Sequence, residues 1–212
     1  MQIKICGLKY LQNIQEVAKL QPDMIGLIFY PGSPRFLNTS KTNLSSLKKI
    51  PPTVKKVGVF VNPPYEEVEE KVDSVGLDYI QLHGNESPTF CARLKEDLPI
   101  QLIKALGIDE KMNFEICKSF EPVVDYFLFD TKSPKHGGTG IAYPWEWLSP
   151  YPMYSSKPFV LSGGIDISLL KQNISTCNPI PWAIDLSSKL ERSVGKKDLY
   201  KVEEIISYVR TL

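Results

Sequence analysis

The chain has 212 residues, an apolar fraction of 42% and a charged fraction of 23%, ordinary values for a length that one α/β barrel commonly fills. Its 25 Lys and Arg against 24 Asp and Glu leave a net charge of +1, which gives no electrostatic footprint for nucleic acid or for an anionic membrane. No apolar run approaches the roughly 20 residues of a membrane span, and the opening MQIKICGLKY lacks the layout of a secretory signal, so a cytoplasmic enzyme is expected.

In chain order, short apolar runs predict strands over residues 3–6, 24–30, 56–61, 79–82, 102–105, 126–130, 159–161 and 183–187. Between them, longer polar–apolar stretches predict helices over 13–20, 41–50, 65–75, 87–95, 110–119, a short one at 145–148, then 167–172 and 197–210. Alternating units of this kind demand a parallel sheet with helices outside it, because the connections must cross over. A doubly wound open sheet usually needs fewer strands. Eight regular units close into a (β/α)8 barrel, whose chemistry sits at the carboxyl ends of the strands. Small and polar residues gather at those ends: Cys6-Gly7, His83-Gly84, Asp130-Thr131, Ser162-Gly163-Gly164 and Asp185 to Ser188. With no linker or charge block to divide the chain, one barrel domain over residues 1–212 is expected.

The four cysteines, Cys6, Cys91, Cys117 and Cys177, form no C-x-x-C pair, and His83 and His136 are the two histidines. That inventory lacks zinc-ligand spacing, so no metal is expected and the thiols read as free and reduced. Alternation along the first strand puts Ile3 and Ile5 on one face and Lys4 and Cys6 on the other. The isoleucines suit the layer under the helices, which sends Lys4 and Cys6 into the barrel. An ammonium beside a thiol favours the thiolate, the form that acts as base or nucleophile; the alternative is an inert buried cysteine.

Asp130 ends the run Tyr-Phe-Leu-Phe-Asp. A carboxyl after four bulky apolar residues is poorly solvated, which raises its pKa and suits a general acid; it could equally brace a loop or cap a helix. Gly137-Gly138-Thr139-Gly140 downstream is either a cover over the site or a turn. Ser162-Gly163-Gly164, leading to a helix near Asp166, and Asp185 to Ser188 fall after strands seven and eight. Barrels often bind phosphate there, on glycine backbone and helix amino ends. Arg35, in a loop after the second strand, could hold a carboxylate with two parallel hydrogen bonds, or simply be solvated. His83 could donate to an anionic group or satisfy a neighbour. The aromatics at 143–147 read as packing residues.

These pieces resemble the phosphoribosylanthranilate isomerase family almost end to end. The matching segments are Lys4-Ile5-Cys6-Gly7, Gly26 to Tyr30 with Ser33-Pro34-Arg35, Val57 to Asn62, and Gln81-Leu82-His83-Gly84. They continue with Ile103-Lys104-Ala105, Phe129-Asp130-Thr131 with the segment at 137–140, Leu161 to Gly164, and Asp185 to Ser188 with Gly195 to Asp198. The resemblance implies an Amadori rearrangement of N-(5-phosphoribosyl)anthranilate in tryptophan biosynthesis, with no cofactor and no metal. It implies Cys6 as general base and Asp130 as general acid. It further assigns Arg35, with His83 nearby, to the anthranilate carboxylate, Asp185 to the pocket wall, and Gly163, Gly164, Ser187 and Ser188 to the phosphate. The partners implied are a small sugar-phosphate substrate and, at most, a second copy, as monomer or homodimer.

The chain departs from the family pattern at Lys9, where threonine is usual, and at Tyr143-Pro144-Trp145, where Phe-Asp-Trp is usual. It departs again at Lys189-Leu190, where Gly-Val is usual before Glu191. Lys189 thus replaces a residue able to adopt φ > 0. Three rivals stay open. The related barrel isomerase of histidine biosynthesis has an Asp where Cys6 stands and needs a second phosphate site in the first half of the chain. A sugar-phosphate sensor would bind without turnover. A cysteine hydrolase would need a histidine partner, for which His83 is the candidate.

Overall fold

The computed structural model describes residues 1–132 and 142–212; Gly137 to Gly140 and His136 lie outside the described residues. Eight strands run in sequence order around a closed, parallel barrel, with β8 hydrogen-bonded back to β1. They are β1 (Gln2–Cys6), β2 (Met24–Ile28), β3 (Lys55–Phe60), β4 (Tyr79–Leu82), β5 (Gln101–Ile108), β6 (Tyr126–Thr131), β7 (Phe159–Leu161) and β8 (Ala183–Leu186). The helices are α1 (Leu11–Lys19), α2 (Leu44–Leu47), α3 (Tyr65–Lys71), α4 (Pro88–Asp97), α5 (Glu115–Phe120), α6 (Ile167–Asn173) and α7 (Leu199–Val209). The β6–β7 connection carries 3-10 turns at Trp145–Leu148 and Tyr151–Met153, and a small hairpin of β9 (Glu191–Ser193) and β10 (Lys196–Lys197) follows β8. No helix among the described residues is long and apolar enough to cross a membrane.

Every predicted strand is present. The helices depart from expectation where Asx turns compete with them. The segment 41–50 is reduced to a 3-10 turn and the four-residue α2, because Asn38 and Asn43 each take the N–H two residues ahead, on Ser40 and Ser45. The segment 110–119 starts late, at Glu115, since Asp109 and Asn113 cap local turns in the same way. The last helix begins at Leu199 rather than 197: Asp198 is its N-cap and accepts from Tyr200 N–H, which leaves Lys197 in β10. Helix α4 follows its caps, with Ser87 accepting from Phe90 N–H and Pro88 opening the first turn.

Odd-numbered residues of β1 face the helices and even-numbered ones face the barrel. Ile3 and Ile5 are fully buried in the outer core with Ile25, Leu27, Leu82, Phe127, Phe129 and the inner faces of the helices. Each such side chain contributes about 1.5–3 kcal/mol on burial. A second, separate cluster fills the barrel itself: Met24, Val57, Ile103, Ala105, Leu128, Val160 and Ala183. Tyr79, Tyr126 and Trp182 close it at the amino ends of the strands, with Tyr126 stacked on Trp182 at 4.2 Å between centroids. Side-chain alternation then places Lys4, Cys6, Gln81, His83, Asp130, Ser162 and Asp185 one or two steps above this plug, towards the carboxyl ends.

Candidate active site

Cys6 is the last residue of β1 and its register partner on β2 is Gly26. A Cβ on Gly26 would lie 2.5 Å from the Cys6 sulfur, so the glycine makes the space the thiol occupies. An isolated glycine within the strand pattern Met-Ile-Gly-Leu-Ile was the available signal for such a close approach. Below the thiol, Lys4 is entirely buried and donates to Asp185 Oδ1 at 2.8 Å from the facing position of β8. Burial pulls the Lys4 ammonium towards neutrality, but the Asp185 charge and the neighbouring thiol outweigh it and hold Lys4 above its usual range. Asp185 also accepts from Ser162 Oγ at 3.4 Å.

The thiol itself goes the other way from the sequence expectation. Burial pushes Cys6 above the ordinary thiol range, and the opposing pull of Lys4 and, further off, Lys197 does not overcome it. The expected ammonium is there; the cost of desolvating a thiolate in a closed mouth exceeds its effect. Cys91, Cys117 and Cys177 are also buried free thiols, with Cys91 pushed up by burial to about 11. Only Cys6 among the four has two lysines acting to lower its pKa.

Asp130 lies on β6 in the same inward row as Leu128. It is 8% exposed; its Oδ1 accepts the N–H of Thr131 at 2.9 Å and its Oδ2 lies 3.5 Å from His83 Nε2. His83 follows β4 and reaches Asp130 across β5, where Ala105 and Gly107 are the inward residues. Gln81, two residues earlier on β4, contacts His83 Nδ1 at 3.0 Å through Nε2. The loop carrying His83 is braced from outside the barrel by a buried ion pair: Lys104 Nζ donates to Glu86 Oε2 at 2.9 Å and to Gly84 O at 2.8 Å. Glu86 in turn accepts from the N–H groups of Asn62 and Gly84.

Arg35 is not solvated. Its Nε and Nη2 donate to the two oxygens of Glu191, each at 2.8 Å, in a bidentate pair at the mouth. Lys197, 1% exposed, donates to Glu191 Oε1 at 2.9 Å and to Ser187 O at 3.0 Å. Burial would raise the Glu191 carboxyl, yet Arg35 and Lys197 hold it below its usual range. Lys197 is drawn below its own usual range, first by burial and also by the charge of Arg35. Sequence reasoning missed both residues as site members; Glu191 and the Gly195 to Asp198 run entered only as motif matches. The hairpin they form brings Gly195 against Lys9, whose N–H donates to Gly195 O at 3.1 Å and whose ammonium donates to Pro34 O at 3.2 Å. Lys9 thereby links the loops after β1, β2 and β8.

The glycines after β7 adopt the left-handed region, at φ 101° for Gly163 and 60° for Gly164. A Cβ on Gly163 would stand 2.6 Å from Thr131 Oγ1 and 3.2 Å from the buried ring of Tyr143, so this glycine is required by the turn whatever binds there. Neither glycine gives its N–H to another described residue. The amino end of α6 is not open, because Asp166 Oδ1 takes the Leu169 N–H at 2.9 Å; the expectation of an anion on that helix end is narrowed to the Gly163–Gly164 turn. Across the gap, Ser187 Oγ donates to Cys6 O at 3.1 Å, and Ser188 opens a 3-10 turn through Leu190. Lys189 sits in that turn without needing φ > 0, so its departure from the family pattern leaves the loop intact. Tyr143 and Trp145 are packing residues, as expected, with Tyr143 Oη donating to Phe129 O.

A family model described as N-(5'-phosphoribosyl)anthranilate (PRA) isomerase matches residues 3–208. The N-(5'-phosphoribosyl)anthranilate isomerase of Parabacteroides distasonis is 41% identical over 209 residues, spanning 99% of this chain and 93% of the relative. The solved structure of phosphoribosyl anthranilate isomerase from Thermotoga maritima superposes with a TM-score of 0.84 at 31% identity, covering 100% of each chain. A further structure, a phosphoribosyl anthranilate isomerase in complex with reduced 1-(o-carboxyphenylamino)-1-deoxyribulose 5-phosphate, gives 0.84 at 29% identity with 100% coverage of both.

Proposed function

Since the chain belongs to the N-(5'-phosphoribosyl)anthranilate isomerase family, an isomerase of tryptophan biosynthesis, we propose that Cys6 and Asp130 perform its Amadori rearrangement as base and acid. The observation that carries this reading is that both groups end inward-facing rows of one closed barrel, on β1 and β6, at the carboxyl mouth. Two proton transfers are needed, and each correctly placed one is worth roughly 10²–10⁴-fold in rate.

Asp130 gives its proton to the ribose ring oxygen as the C1–O bond breaks. The lone pair of the anthranilate nitrogen moves in to form the C1=N bond, leaving a cationic imine. Cys6 thiolate removes the proton on C2; that bonding pair forms C1=C2, and the C=N pair returns to nitrogen as an enolamine. Proton gain at C1 and loss from the C2 hydroxyl then give the ketone. No electrons are gained or lost by the substrate overall.

The raised pKa of Cys6 fits this sequence of events. The cationic imine formed beside Cys6 adds a third positive charge to those of Lys4 and Lys197, which offsets the cost that burial places on the thiolate. Arg35, held planar by Glu191, retains Nη1 for the anthranilate carboxylate, and His83 lies at the Asp130 side of the mouth. Asp185 keeps Lys4 charged beneath the sugar. The backbone N–H groups of Gly163 and Gly164, with Ser187 and Ser188 opposite, would receive the phosphate.

The test is to mix the protein with freshly made phosphoribosylanthranilate and follow the loss of its anthranilate-type fluorescence. Steady loss with stoichiometric ketone is expected. Binding without loss would overturn the reading in favour of a sensor.

A further inference from the structure

Gln81 is 1% exposed, points into the barrel between Val59 and Ile103, and has a side-chain oxygen with no hydrogen-bond partner among the described residues. Its amide nitrogen instead faces His83 Nδ1 at 3.0 Å, while the other ring nitrogen faces Asp130. We infer that Gln81 is a positioning residue whose amide N–H fixes His83 as the Nε2–H tautomer, so that the imidazole presents a proton to Asp130. This rests on Asp130 being the acid of the reaction proposed above.

The reasoning is one of donor and acceptor bookkeeping. A neutral imidazole has one donor and one acceptor nitrogen, and an amide NH2 can only donate. With NH2 on Nδ1, that nitrogen must accept and the proton must sit on Nε2. The reversed amide would place its oxygen on an Nδ1–H, leave both amide N–H donors unpaired where the observed one leaves one N–H and the carbonyl oxygen, and turn the Nε2 lone pair towards Asp130 once that acid has given up its proton. Unpaired buried N–H groups are rarer than under-satisfied carbonyl oxygens, so the observed orientation is the one the packing selects.

The chemical consequence falls on the acid after it acts. Once Asp130 has passed its proton to the ring oxygen it is a carboxylate in a closed mouth, already holding the Thr131 N–H on Oδ1. A proton on His83 Nε2 supplies the matching donor for Oδ2. At 3.5 Å the contact is longer than a formed hydrogen bond, as such contacts often are before substrate tightens the site. The donor stabilises the deprotonated acid and thus the step that opens the ring. The opposite tautomer would oppose it.

With two histidines in the chain, His83 and His136, long-range ¹H–¹⁵N spectra of the whole protein are simple, and His136→Ala assigns the pair. Near pH 8.5, above the roughly 6.5 of an ordinary imidazole, His83 is expected to show a protonated Nε2 and an unprotonated Nδ1. Gln81→Leu should mix the tautomers, and Gln81→Glu, whose carboxylate accepts, should move the proton to Nδ1. In either variant kcat should fall about ten- to hundredfold with little change in KM, the scale seen for partners that orient an imidazole. A wild-type His83 protonated on Nδ1, or an Nε2–H tautomer unchanged in both variants, overturns the inference. These spectra need no turnover, so they stand apart from the fluorescence assay, which alone judges the isomerase reading.

Discussion

The two ends of the barrel interior are built from the same strands with opposite chemistry. At the amino end, Met24, Val57, Ile103, Leu128, Val160 and Ala183 make an apolar plug over three aromatic rings. Two residues further along the same inward rows, Leu128 gives way to Asp130, Val160 to Ser162 and Ala183 to Asp185, a step of roughly 6.6 Å along each strand. The lower end gains stability from dispersion and desolvation. The upper end carries buried charge that costs stability unless paired, and Lys4–Asp185 and Arg35–Glu191–Lys197 supply that pairing. A barrel can therefore change its chemistry at the mouth while its closure is secured beneath.

Substitutions at the two ends should separate activity from stability. The largest effect is expected at the mouth: Cys6→Ala and Asp130→Asn should each lower kcat by roughly 10²–10⁴-fold with little change in KM and an unshifted urea midpoint. Near-normal kcat in either variant removes that residue from its role. At the plug, Ile103→Ala should cost about 2–5 kcal/mol of unfolding free energy, read from urea denaturation, while kcat of the folded fraction stays within a few-fold of wild type. A collapse of kcat at unchanged stability would erase the division between the two ends. Arg35→Ala comes next. Loss of a charge-assisted contact worth about 1.5–3 kcal/mol should raise KM roughly ten- to hundredfold, with the smaller share in kcat. An unchanged KM reassigns the carboxylate contact.

The same division governs how much could be read without coordinates. Period-two alternation along β1 made the inward direction of Lys4 and Cys6 legible residue by residue, whereas Asp130 follows an unbroken apolar run and was legible only as a poorly solvated carboxyl at a strand end. Helix starts were less so, because Asn38, Asn43, Asp109 and Asn113 each divert a backbone N–H into a local turn that hydrophobic periodicity does not register. The site's long-range partners were illegible for a different reason. Arg35 and Glu191 lie 156 positions apart, and the hairpin that joins them is too short to announce itself as strands. The sign of the Cys6 shift also could not be read from Lys4 alone, since burial is a property of the closed mouth and not of the strand.

That shift yields the smallest effect and one that discriminates between the two forces on the thiol. An unfolded cysteine loses its proton near about 8.5, whereas burial keeps the folded Cys6 protonated to higher pH. Its contribution to stability is therefore complete below the unfolded value and drains away as pH rises towards the folded one. The other buried cysteines behave alike and are common to both proteins, so the slope of urea stability between about pH 7.5 and 10 in wild type minus that in Cys6→Ser isolates this thiol. The wild type should lose stability faster over that interval. If the variant loses it faster, or if the two slopes coincide, Lys4 and Lys197 balance or outweigh desolvation. Only in the first of these cases would the resting protein hold more thiolate than a free cysteine does, so that the base needs less help from a cationic substrate.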